Sequence, residues 1–159
     1  MKQVSINAIE KAIDKIDNLD DDGLERVAET YALAQDILLG YVLSAAEEYQ
    51  NQELEGLLVY YFCLINEAFA QEQIRCGKVD ENMIDEFEEP FFEILDEYFE
   101  KEEEDLLFDF TEQSELIRFM MMEVSTPDED GTTLNDETAT QLFIVTSALT
   151  TLLSRAIQE

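Results

Sequence analysis

The sequence contains no histidine and no tryptophan, and only two prolines and five glycines occur among its 159 residues. Without histidine, the chain lacks the commonest general base, the usual zinc ligand and the base of Ser-His and Cys-His nucleophile pairs. The Glu-x-x-His motif of ferritin-like di-iron bundles is excluded for the same reason. We therefore favour a non-enzymatic protein, and an enzyme remains an alternative only with a site built from Asp, Glu, Lys or Tyr.

Basic residues are also scarce, since 9 Lys and Arg stand against 39 Asp and Glu and give a formal net charge of −30. The 10 Phe and 6 Tyr supply the apolar surface that a disordered chain of this charge would lack. We expect the charge to lie on a folded surface that repels phosphates and anionic lipids. The sequence therefore predicts no direct binding to nucleic acid or membrane, and favours basic proteins or cations as partners.

Long apolar stretches are missing as well, because the longest unbroken run, 57–65, has nine residues. This run is too short for a transmembrane helix, and the N-terminal sequence does not resemble a signal peptide. The chain has only two cysteines, Cys63 and Cys76, and they do not form a C-x-x-C motif. This pattern is typical of proteins whose thiols are reduced. We therefore expect a soluble, cytoplasmic protein with two reduced thiols. A disulfide between the two cysteines is the alternative to reduced thiols.

Apolar residues recur at spacings of three and four through most of the chain, which places them on one face of a helix. Strand-type alternation is absent from the sequence. A chain of 159 residues with 46% hydrophobic residues is large enough for one continuous core. The pattern predicts an all-α fold in which residues 1–159 form a single compact bundle of about six or seven mostly antiparallel helices.

Capping residues and glycines predict the boundaries of the first helices. Ser5 is a typical N-cap, and the first helix is expected to end near Asn18. The acidic residues 20–22 favour the start of a second helical stretch that continues to about Tyr49. Gly40 interrupts this stretch, which is therefore either two helices or one bent helix.

The segment 53–76 is predicted to form the central helix, because its apolar residues occur on nearly all sides. Gly77, flanked by Arg75 and Lys78, is expected to end this helix. The same two cations would lower the pKa of Cys76, although the C-terminal end of a helix opposes that effect. We prefer the ordinary helix stop to a reactive thiol.

The segment 80–105 combines a core-facing stripe with 14 acidic residues among 26. Pro90 marks either a kink or the first turn of a separate helix. A further apolar helix is expected over 106–124, with Thr111 or Ser114 as alternative starts, and a last helix follows the polar loop 125–136. The predicted core-facing residues of the acidic segment are Ile84, Phe87, Phe91, Ile94 and Tyr98.

The outer side of the acidic segment is the predicted partner-binding surface. Carboxylates three and four residues apart on a helix lie about 5–6 Å from each other, which resembles a row of phosphates. The residues expected to contact a basic partner are Glu86, Glu89, Glu93, Glu97, Glu100, Glu103 and Glu104. We therefore interpret the chain as an acidic protein-interaction module, with nucleic-acid mimicry and a solvated face without a partner as alternatives.

Two acidic loops partly match the calcium-binding loop of the EF-hand, in which oxygen ligands surround a glycine. The first match comprises Asn18, Asp20, Asp22, Gly23 and Glu29, and the second comprises Asp128, Asp130, Gly131 and Glu137. Both matches fail elsewhere, because Glu25 and Thr133 occupy the apolar position and Thr126 replaces the first acid. We therefore interpret both loops as solvated turns whose acidic residues cap helices. We expect no cofactor, and Ca²⁺ binding through these loops is the alternative function.

The apolar seams of the predicted helices could pack within one chain or across a two-fold axis. The last helix has such a seam, formed by Leu142, Val145, Leu149, Leu152 and Ala156. Charge repulsion alone does not forbid association. A homodimer is therefore an alternative to a monomer.

Overall fold

A computed structural model describes residues 3–126 and 134–158, which form an all-α helical fold. Eight helices lie within these residues, compared with the six or seven expected from the sequence. They are α1 (Ile6–Asp17), α2 (Asp21–Ala34), α3 (Asp36–Glu48), α4 (Gln52–Gln71), α5 (Glu81–Lys101), α6 (Glu104–Thr111), α7 (Ser114–Ser125) and α8 (Asp136–Arg155). Two short antiparallel strands, β1 (Arg75–Cys76) and β2 (Ile157–Gln158), pair with each other. The predicted fold class is confirmed.

The first two helices begin where the sequence predicts. The Ser5 hydroxyl accepts a hydrogen bond from the Ala8 N–H at 3.1 Å. In the same way, the Asp20 carboxylate accepts one from the Gly23 N–H at 2.7 Å. Each side chain satisfies a backbone donor that the first turn of a helix leaves without an intrahelical partner.

The helical stretch that follows is divided at Gln35 rather than at Gly40, which lies inside α3. Gln35 is buried, and its side-chain amide binds a segment that is distant in sequence. Its Nε2 donates to the Gly77 carbonyl and its Oε1 accepts from the Val79 N–H, both at 2.8 Å. Because these bonds fix Gln35 in a non-helical conformation, α2 and α3 are separate helices.

Helix α4 ends at Gln71, so the prediction that Gly77 terminates it is wrong. Gln73 has a positive φ of 62°, and the following Ile74 N–H donates to the Phe69 carbonyl at 3.0 Å. This left-handed turn stops the helix and directs the buried Ile74 into the core. The chain then forms β1, whose only pairing partner among the described residues is the C-terminal β2.

Helix α5 is continuous through Pro90, which lies inside it. Its N-terminus is capped by Asp80, whose carboxylate accepts a hydrogen bond from the Met83 N–H at 2.9 Å. Its C-terminus is followed by Glu102 in the left-handed conformation, with φ of 56°. The alternative in which Pro90 begins a separate helix is therefore wrong.

Two helices form the centre of the molecule. Helix α4 packs against α1, α2, α3 and α8, and its residues 61–69 are all buried, which confirms its predicted central position. Helix α8 is equally buried over 145–154, although this stretch contains several Thr and Ser. Thr146 and Thr151 donate their hydroxyl hydrogens to the carbonyls four residues earlier, at 2.7 and 2.8 Å. These bonds give the Thr146 and Thr151 hydroxyls a partner within the helix, whereas the buried hydroxyls of Ser147 and Thr150 have none among the described residues.

Candidate partner-binding surface

The α5 carboxylate face, which we define as Glu86, Glu89, Glu93, Glu97 and Glu100, is exposed along its whole length. Its residues are three or four positions apart and therefore lie on one side of the helix. The opposite side of α5 carries the buried residues Ile84, Phe87, Phe91 and Leu95. The structure thus brings five of the seven predicted partner-binding residues together on one surface.

The other two predicted residues, Glu103 and Glu104, do not belong to this face. Helix α5 ends at Lys101, and Glu102 turns the chain through its left-handed conformation. Glu103 is the N-cap residue of α6 and Glu104 is the first residue of that helix. Both are exposed, but the turn at Glu102 places them on a different element.

Among the described residues, no ion pair neutralises the α5 carboxylate face. Lys101 is the only basic residue of α5. None of the ion pairs in the part of the chain that the structure describes involves a carboxylate of this helix. Because neighbouring exposed charges lie within a Debye length of about 10 Å, their mutual repulsion is only partly screened. A cationic partner would relieve this repulsion.

A groove separates α3 from α5 beside the carboxylate face, and its main section has a volume of about 500 Å³. One wall consists of the α3 residues Ile37, Gly40, Tyr41 and Ser44. The other wall consists of the α5 residues Glu81, Ile84, Asp85 and Glu88. Each set has the spacing of residues on one face of its helix. The two faces therefore lie opposite each other, with open space between them.

The α3/α5 groove, as we call it, continues into an adjoining depression of about 90 Å³ that shares Tyr41, Ser44 and Glu88 with it. Three aliphatic residues of α8 line this end: Ile144, Val145 and Ala148. Two aromatic side chains here keep part of their surface in solvent, with Phe92 46% exposed and Tyr49 38% exposed. The groove therefore presents apolar surface to solvent between its walls.

The rim of the α3/α5 groove is acidic. Its carboxylates are those of Glu48, Glu81, Asp85 and Glu88, and no Lys or Arg occurs among the described residues that line it. Burial, together with the neighbouring Glu88 carboxylate, raises the pKa of Tyr41. The Tyr41 hydroxyl donates to that carboxylate, so it is not a free donor in the groove. An apolar base with an anionic rim is suited to a ligand that is both apolar and cationic.

The sequence reasoning missed the groove, although a signal for each wall was present. Residues 37–44 and 81–88 each have the spacing of a helical stripe. Nothing in the sequence indicates that these two stripes face each other, because they are separated by the whole of α4. Only the packing of α3 and α5 on α8 brings them together.

The first of the two predicted calcium loops, residues 18–29, is mostly helical, because α2 begins within it. Asp22 and Glu29 lie on that helix, and the Asp20 carboxylate is occupied as its N-cap. The Asn18 side chain donates to a backbone carbonyl of α1 at 2.7 Å. Asn18 and Asp20 thus cap helices and Asp22 and Glu29 lie on one, so this segment does not adopt the conformation of an EF-hand loop.

The second calcium loop can be placed only in part. Asp128 and Asp130 lie outside the described residues, whereas Glu137 lies in the first turn of α8. The Glu137 carboxylate accepts a hydrogen bond from the Gln141 side chain at 3.4 Å. Within residues 3–126 and 134–158, no three acidic or cysteine side chains are grouped so as to hold a metal ion.

The two cysteines are free thiols rather than a disulfide. Burial raises the pKa of Cys63 to about 11 and that of Cys76 to about 12. Lys78, which was expected to favour the Cys76 thiolate, instead pairs with Asp36 at 2.8 Å. Burial therefore opposes the reactive-thiol alternative, because it disfavours the thiolate form of both cysteines.

The structure defines an all-α protein whose helix α5 carries exposed carboxylates along one side. The chain matches no family model, no curated protein and no solved structure. Every helix within the described residues is too short or too polar to cross a membrane. Function is therefore inferred from the geometry and charge of the chain itself.

Proposed function

We propose that this protein is a non-enzymatic interaction module that binds a basic protein partner on the side of the molecule formed by α5. The observation that carries the proposal is the α5 carboxylate face, in which five exposed glutamates lie on one side of a helix without an ion-pair partner among the described residues. Lys and Arg side chains of a partner would supply the missing counter-charge. Such complementarity favours fast and selective association.

The remaining chemistry of the chain supports a binding role. The sequence has no histidine, and burial raises the pKa values of both thiols. Its buried carboxylate, Glu67, is already paired with Lys15 at 2.8 Å. These features disfavour catalysis that depends on histidine or a thiolate.

The test is a pull-down from the lysate of the source organism at low and high salt, with the captured proteins identified by mass spectrometry. The test variant carries Glu86→Lys, Glu89→Lys, Glu93→Lys and Glu97→Lys. We expect it to retain less than about a tenth of the basic protein that the wild-type chain captures at low salt, because attraction at the surface becomes repulsion. High salt should release the same protein from the wild-type chain.

A matched control carries the same four charge reversals on α1 and α2, at Glu10, Asp14, Glu25 and Glu29, which are also exposed. Both variants change the net charge by the same amount. Equal loss of capture in the two variants would show a general charge effect and overturn the assignment to α5. If double-stranded DNA displaces the captured protein, the partner uses its nucleic-acid groove and the interaction is mimicry.

A further inference from the structure

The α3/α5 groove is long enough to accommodate one more short helix. Its α3 wall extends from Ile37 to Glu48, a length of about 17 Å at 1.5 Å per residue. A helix of about 11 residues, or three turns, covers that length. The walls are themselves helices and the third side is α8, so the groove resembles the space between packed helices in a bundle.

The base of the groove requires an apolar occupant. Phe92 and Tyr49 leave about half and a third of their surface in solvent, beside aliphatic residues of α8. Burial of this aromatic surface against aliphatic side chains is favourable, because it removes apolar surface from water. A helix with Leu, Ile or Phe at spacings of three and four would bury this surface with one face.

The rim of the groove requires a cationic occupant. Glu81, Asp85 and Glu88 stand on the α5 side and Glu48 stands on the α3 side. A neutral or acidic helix would leave these carboxylates partly desolvated without a partner, which is unfavourable. Lys or Arg residues along both edges of the occupant would pair with them.

We propose that the α3/α5 groove binds an amphipathic, basic helix of about three turns from a partner protein, with its apolar face against Phe92 and α8 and its Lys or Arg residues towards the acidic rim. The inference rests on the proposed function, because it names the part of the basic partner that is recognised. It places the binding contacts in the groove, whereas the α5 carboxylate face attracts the partner at longer range.

The probe is a synthetic peptide of about 14 residues with Leu at helical spacing, Lys at the other positions and one Trp on the apolar face. The protein contains no tryptophan, so the fluorescence of the peptide Trp reports binding directly. A second peptide has the same composition in scrambled order and lacks an apolar face. We expect the amphipathic peptide to bind at least about tenfold more tightly than the scrambled one.

The groove is closed by Gly40→Gln, since a Cβ added at Gly40 meets no atom within 4 Å and the longer side chain would extend into the open space. Gly56→Gln is the matched control, because Gly56 is also an exposed glycine inside a helix with no atom within 4 Å of the added Cβ. We expect Gly40→Gln to weaken amphipathic peptide binding about tenfold or more and Gly56→Gln to leave it unchanged. Circular dichroism establishes that both variants are folded.

The outcomes separate the inference from the proposed function. Equal binding by the Gly40→Gln and Gly56→Gln variants, or equal binding of the two peptides, would overturn the groove assignment. If the α5 charge-reversal variant still loses capture in the pull-down, the proposed function stands without the groove. If capture is unaffected and neither peptide binds the wild-type chain in a salt-sensitive way, both proposals fail.

Discussion

Glu67 is a buried carboxylate whose charge is satisfied by three helices. Its side chain is 3% exposed, and its oxygens contact Lys15 Nζ of α1 at 2.8 Å and the Tyr31 hydroxyl of α2 at 3.1 Å. Gln71, one turn further along α4, donates a third bond at 3.1 Å. Since an unpaired buried charge is costly, this cluster fixes the positions of α1 and α2 against α4.

Replacing Lys15 by Met should therefore lower the free energy of unfolding. The Lys15 side chain is 47% exposed, so the loss is expected to be about 1–3 kcal/mol, below the value for a fully buried pair. Urea denaturation measures the change, with Lys11→Met as the control for an exposed lysine of the same helix. The double variant Lys15→Met and Glu67→Gln should recover part of the loss, because the buried charge is then absent. No recovery would contradict this account.

At the scale of the secondary-structure element, α5 is a long helix that contains a proline in its interior. Pro90 has no N–H to donate to the carbonyl of Glu86, and its ring crowds the preceding turn. The helix persists because Phe87, Phe91 and Leu95 are buried on both sides of this position. Tertiary packing thus overrides the local preference of the sequence.

We expect Pro90→Ala to raise the free energy of unfolding by about 1–3 kcal/mol, because one backbone hydrogen bond is restored and Pro90 is exposed. Thermal and urea unfolding measure the gain. The neighbouring exposed residue gives the control Glu89→Ala, which should change stability by no more than about 0.5 kcal/mol. A loss of stability in Pro90→Ala would mean that the proline sets a helix geometry that the core requires.

At the scale of the whole molecule, tyrosine hydroxyls and carboxylates are paired in several places. Tyr60 donates to Asp17 at 2.9 Å and Tyr61 donates to Glu123 at 3.0 Å. Burial, followed by these carboxylates, raises the pKa of both tyrosines, and Tyr31 beside Glu67 is affected in the same way. Where cations are scarce, tyrosine hydroxyls supply donors to carboxylates at the edge of the core.

These shifts predict that the protein loses stability in alkaline solution. Tyrosines of the unfolded chain lose their protons near pH 10, whereas the folded pKa values are higher, so the folded state binds more protons above that pH. The stabilisation is therefore complete below about pH 10 and is lost as the pH rises further. Urea denaturation between about pH 8 and pH 11 measures this dependence.

The control for the alkaline effect is the double variant Tyr60→Phe and Tyr61→Phe. Its free energy of unfolding should decrease less steeply above pH 10, because two shifted groups have been removed. The Phe92→Leu variant alters an exposed aromatic residue without a titrating group and should keep the steepness of the wild-type chain. The same steepness in all three proteins would contradict the assignment to the tyrosine–carboxylate pairs.

Local signals in the sequence were sufficient for several parts of the fold. The N-cap role of Ser5 and the start of a helix at the acidic residues 20–22 are predictable, because residue type and position determine both locally. The carboxylate face of α5 followed from helical spacing as far as Glu100. Helical spacing wrongly assigns Glu103 and Glu104 to the same face. The left-handed turn at Glu102 is not recognisable from the sequence, because no glycine occurs there.

Periodicity and composition are local or additive properties, so they predict the helical fold class, the principal amphipathic stripes and the net charge of −30. The division of α2 from α3 at Gln35 and the end of α4 before Gln73 depend instead on tertiary contacts. Tertiary packing also places the stripes at 37–44 and 81–88 opposite each other across a groove. These features depend on contacts between residues far apart in sequence, and such contacts leave no local signal.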